Sequence, residues 1–133
     1  RNSDRGSASL EFTVIALGVL VPILAVTVSV STIQRAQFAV TEISRQGVRA
    51  IALAPTTSAG NRAVRRIARL TLADFGIRQS PSFEVSCVPA QCRAQGSLIR
   101  LTTTMTIPLA MIPALPGLDL VTRIPVTATA THR

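Results

Sequence analysis

Cys87 and Cys92 are the side chains of this chain best spaced to do chemistry together. Val88, Pro89, Ala90 and Gln91 lie between them, and four intervening residues with a proline suit a tight loop closed by a disulfide. A zinc site would need two further ligands, and His132 is the single histidine. A redox dithiol normally keeps two residues between its sulfurs at the start of a helix. The expectation is therefore a structural disulfide, which places this part of the chain outside a reducing compartment. The six carboxylates offer no convincing acid and base pair, and two of them, Asp4 and Glu11, lie beside the start of one apolar segment. Gly-rich phosphate loops and metal-binding helix motifs are missing as well. Neither an enzyme, nor a cofactor, nor a metal is expected.

The second chemical feature is arginine. The net charge is +8, and every basic side chain among the fourteen is Arg. Such a surface attracts nucleic acid, anionic lipid headgroups or an acidic polymer by the same long-range field. Single-strand binders interleave cations with stacking aromatics. Here there are four Phe and no Trp or Tyr, and only Phe75 lies near an Arg cluster, so nucleic acid is the least favoured partner. The cluster is Arg62, Arg65, Arg66 and Arg69, one stripe of a helix expected over 61–75. Val64, Ile67, Ala68, Leu72 and Phe75 form the opposite stripe, and Gly76 supplies the stop. The basic stripe is either a solvated face or a surface for lipid headgroups or an acidic polymer.

The elements that must position these groups begin with an apolar run. No charged residue occurs from Phe12 to Gln34. At 1.5 Å per residue that run is about 34 Å long, enough for a hydrocarbon core of about 30 Å. Beyond it, Ile33, Ala36, Val40, Ile43, Gly47, Ala50 and Ala54 recur at three- and four-residue steps. The helix is therefore expected to start near Ser9 as its cap and to continue to Leu53, before Pro55 ends it. The small residues of this seam permit close approach, to the chain's own domain or also to helices of other subunits.

A Thr/Ser/Gly loop over 55–60 should precede the second helix. From Ser80 the period turns to two, and three strands are expected. The first carries Phe83, Val85 and Cys87 on one face. The second carries Ile99, Leu101, Thr103, Met105 and Ile107. The third, over 120–131, alternates Ile124, Val126, Ala128 and Ala130 with Arg123, Pro125, Thr127 and Thr129, and Pro125 favours an edge position. The segment 107–118 has no charge and three prolines, and either folds back on the core or rests on a membrane or a neighbouring subunit. The fold class is α+β: a long N-terminal transmembrane helix continuing into a small head with a second helix and a three-stranded antiparallel sheet.

At the mouth of the apolar run stands Gly6-Ser7-Ala8-Ser9-Leu10-Glu11-Phe12. A charged side chain costs about 2.5 to 3.5 kcal/mol at the centre of a bilayer and less near its edge, so Glu11 calls for compensation or for an interfacial position. Gly6, then four residues, then Glu11-Phe12 and a long apolar helix, resembles the class III signal of type IV pilins. The resemblance is closest to TadE-like minor components of tight-adherence (Tad/Flp) pilus systems, and is specific from Arg5 to about Pro55.

It implies residues 1–6 as a leader, 7–54 as the long helix with its transmembrane part at 12–34, and 55–133 as the head. It implies cleavage between Gly6 and Ser7 by a membrane prepilin peptidase. The new ammonium of Ser7 would then lie near Glu11 of the same or an adjoining subunit, with Glu11 and Phe12 serving assembly. Other pilin-like subunits, the assembly machinery and membrane lipid are the implied partners. The implied location is the cell membrane, with the head extracytoplasmic and in or beside a surface pilus. Two rivals share much of this pattern: a signal-anchored surface module binding lipid, wall polymer or a protein, and a secreted protein whose signal core is 12–31.

Overall fold

Fifty residues run as a single helix, α1 (Asp4–Leu53), about 75 Å long. The computed structural model describes residues 4–88, 92, 96–108 and 123–133. The helix starts at Asp4 and not at Ser9, because adding a turn to an existing helix is far easier than nucleating one and nothing between these positions breaks it. It also passes through Pro22, whose missing N–H leaves the Gly18 carbonyl without its helical bond. Hydroxyls in the apolar part are satisfied within the helix. Thr27, Ser29 and Thr32 donate to the carbonyls of Ile23, Ala25 and Val28 at 2.8, 2.7 and 2.9 Å. In hydrocarbon each would otherwise be an unpaired polar group.

The second helix, α2 (Thr57–Asp74), begins four residues earlier than the periodicity predicts. Thr56 is its N-cap, with extended backbone and a side-chain oxygen that accepts from the Ala59 N–H at 3.1 Å. The Thr/Ser cluster expected as a loop is thus a capping sequence and a first turn. The C-terminus follows expectation. Gly76 has φ +66°, its N–H reaches the Ala73 carbonyl, and the Ile77 N–H reaches the Leu72 carbonyl at 2.8 Å. That pair of bonds is a Schellman motif, and Ile77 packs against the core beside Leu72.

Three strands follow: β1 (Ser82–Val88), β2 (Leu98–Pro108) and β3 (Arg123–His132). They form an antiparallel sheet of order β1-β2-β3, with Val85 opposite Leu101 and Thr103 opposite Ala128. Pro125 lies on the edge strand β3, as its missing donor requires. The first strand starts at Ser82 and not at Ser80. Residues 120–122 of the expected third strand, and the apolar proline-rich segment from 109 onward, lie outside the described residues.

The head closes on the C-terminal half of α1. Ala36, Ala39, Val40, Ile43, Gly47 and Val48 are buried, while Ile33, Ala50 and Ala54 are only half-buried. The buried face is wider than the expected seam, because α1 is covered from two sides, by α2 and by β2 with β3. One part of the core joins Ala36, Ala39, Val40 and Ile43 to Ala68, Leu72, Met105, Ile107 and Val126. The other joins Val48 to Val64, Ile99 and Leu101. Gly47 lies where three elements meet. A Cβ there would stand 2.5 Å from Leu101 Cδ2 and 3.5 Å from a Val64 methyl.

Candidate functional site

The largest unfulfilled surface of the molecule is the N-terminal half of α1. Thirteen large apolar side chains between residues 10 and 30 are exposed, Phe12 by 73% and Ile15 by 60% among them. Taking each out of water is worth roughly 1.5 to 3 kcal/mol when complete. The total exceeds the 5 to 15 kcal/mol by which a small domain is usually stable, so this surface is suited to cover by lipid or by other helices. α1 is long and apolar enough to cross a membrane, and its most apolar stretch is unburied. This is consistent with a single-pass membrane anchor.

The residues of the N-terminal signature stand apart from the head. Gly6 and Ser7 lie in the first two turns of α1. Glu11 and Phe12 follow on the exposed helix, about 38 Å along the axis from Ala36, where burial begins. Glu11 has no partner among the described residues. Phe38, exposed by 66%, marks the passage from apolar span to head. The Gln37 amide donates to the Thr127 carbonyl at 3.5 Å, so the start of the head side of α1 is also where β3 is docked.

On the head, Cys87 and Cys92 form a disulfide with their Cα atoms 5.0 Å apart. It closes the chain just beyond β1, as the spacing predicts. Arg62, Arg65, Arg66 and Arg69 are all exposed on α2 and have no hydrogen-bond or ion-pair partner among the described residues. Among the described residues no three His, Cys, Asp or Glu side chains gather to hold a metal ion.

Two features escape sequence reasoning. The Ser44 hydroxyl, buried inside α1, stands 2.9 Å from Thr103 Oγ1 and 3.1 Å from the Ala128 carbonyl. Ser44 is the donor to both oxygens, so its single hydroxyl proton is shared between Thr103 Oγ1 and the Ala128 carbonyl. This triad pins α1 over a directly opposed pair of β2 and β3. A Ser four residues after Val40 and next to Ile43, at the margin of the seam, was the available signal. The other feature is a slot between α2 and β1 with a volume of about 520 Å³ in one part and about 410 Å³ in the next. Arg65 and Phe83 line both parts, and Arg69 and Arg78 line the second. The arginine stripe therefore does not simply oppose the apolar stripe, since one flank of it edges this slot.

These features define a class, an α+β protein of pilin-like layout in which one long apolar N-terminal helix carries a small head. The chain matches no protein-family model, no curated protein and no solved structure.

Proposed function

We propose that this protein is a TadE-like, pilin-like minor subunit or assembly component of a bacterial tight-adherence pilus, with a structural and adhesive role. One observation carries the proposal. α1 is a continuous rod whose C-terminal half is packed into the head while its N-terminal half has nothing among the described residues to cover it. Such a rod resides in the membrane first and bundles laterally with similar rods afterwards, since both surroundings cover the same side chains. The signature Gly6, Glu11 and Phe12 at its free end supports processing between Gly6 and Ser7 by a prepilin peptidase. The Cys87 to Cys92 disulfide supports a head outside the reducing cytosol.

Mass spectrometry of the native protein's amino terminus tests this. The mature chain is expected to begin at Ser7, and Gly6→Val is expected to block cleavage and abolish pilus incorporation. If the native protein retains residues upstream of Ser7 and the Gly6→Val variant functions normally, the chain is a signal-anchored surface module instead.

A further inference from the structure

The layers of the head do not match in width. Packed helices lie about 8 to 10 Å apart and paired strands about 4.8 Å, so two helices side by side cover about four strands. Here α1 and α2 face a sheet of three. α1 packs closely on β2 and β3, whereas α2 makes its close backbone contacts with α1 alone. α2 therefore overhangs the β1 side of the sheet, and the slot described above is the space beneath it. β1 is paired only with β2, and its other edge makes no backbone hydrogen bond among the described residues.

We infer that this slot receives an extended acidic segment of a partner protein, which pairs with the free edge of β1 as a fourth strand beneath α2. The inference goes beyond the pilus proposal and rests on the head alone. Edge addition suits the site because the outer edge of β1 has no backbone partner among the described residues. Its wall is apolar. Val64, Ile51, Phe83 and Val85 line the slot, and Val85 is 39% exposed although it shares the core-facing side of its strand with Phe83 and Cys87. An added strand would cover Val85 on its open side.

Charge selects the occupant. Arg65, Arg69 and Arg78 line the slot, and none has a partner among the described residues. An occupant with apolar side chains toward α2 and carboxylates at its flanks meets both features, since each guanidinium fits a carboxylate in a fork of two bonds. A second copy of this chain fits less well. Pairing β1 with the β1 of another copy delivers Glu84 as the one carboxylate of that strand against three arginines.

The test uses the full chain in uncharged detergent micelles with a synthetic peptide as long as β1. It alternates valine and threonine and carries glutamates at both ends, and a control carries lysines there. Hydrogen exchange read by mass spectrometry is expected to show the glutamate peptide slowing the amides of β1, with the lysine peptide without effect. Arg65→Glu combined with Arg69→Glu changes only exposed side chains, and is expected to weaken the glutamate peptide about tenfold. Equal protection by the lysine peptide, protection away from β1, or undiminished binding by the double variant would overturn the inference. So would β1 amides that slow with protein concentration in the absence of peptide, which would assign the slot to a second copy.

Discussion

Ser44→Ala removes a single oxygen, yet it cuts the link between the long helix and two strands. Ser44 is 1% exposed and Thr103 fully buried, so no water can replace what is lost. The Thr103 hydroxyl is left unpaired and the Ala128 carbonyl loses an acceptor bond, which together cost about 2 kcal/mol. Thr103→Val leaves the bond from Ser44 to Ala128 in place and costs about 1 kcal/mol. The decisive variant is the double one. With both hydroxyls gone, no side chain of the pair is left buried and unsatisfied, so Thr103→Val becomes nearly neutral in the Ser44→Ala background. The coupling is about 1 kcal/mol.

For a head of this size each kcal/mol moves Tm by roughly 4 to 8 °C, so Ser44→Ala lowers it by about 10 °C and the double variant by no more. With no Trp or Tyr in the chain, calorimetry of the full protein in detergent is the suitable assay, joined to hydrogen exchange of the β2 amides. Strictly additive losses, or a Ser44→Ala variant as stable as the parent, would show that α1 is not seated on the Thr103 and Ala128 pair.

Two further outcomes follow from the same core. Gly47→Ala gains about 1 kcal/mol of helix propensity but forces a fully buried Leu101 aside at about 1 to 3 kcal/mol, so the head loses about 1 kcal/mol in calorimetry. Gly18→Ala, with nothing within 4 Å of its Cβ, leaves head stability unchanged in the same assay. Reduction of the disulfide opens a loop of short span, worth about 2 kcal/mol in the chain-entropy estimate. The loss should appear as faster exchange at the Val88 end of β1, with the α1, β2 and β3 core unchanged.

The slot and the apolar rod divide the molecule by what covers them. The span 12–34 of the rod is charge-free, and its surface suits lipid or a similar helix. The slot combines a strand edge and arginines that have no partner among the described residues, which is the basis of the selectivity inferred for it. In the roles proposed above, the rod is the surface for membrane or filament and the slot is the surface for a partner.

Much of this architecture was legible in the residues alone, because the signals were local. The charge-free run up to Gln34, the two stripes of α2, Gly76 as a stop, the alternation of Ile99 to Ile107 and the spacing of Cys87 and Cys92 each depend on neighbours within one or two turns. The tertiary structure alone decided the rest. Thr56 became a cap and not a loop residue once the backbone direction at the end of α1 was set. Val85 and Val126 both sit on inward-alternating positions, yet one is exposed and the other buried, because β1 lies outside the cover of α1 and β3 lies beneath it. Ser44 is polar in any sequence, and only the chance to face Thr103 and Ala128 makes it a core residue. Periodicity assigns a side chain to a face of its own element, but which neighbour meets that face depends on contacts between residues far apart in the chain.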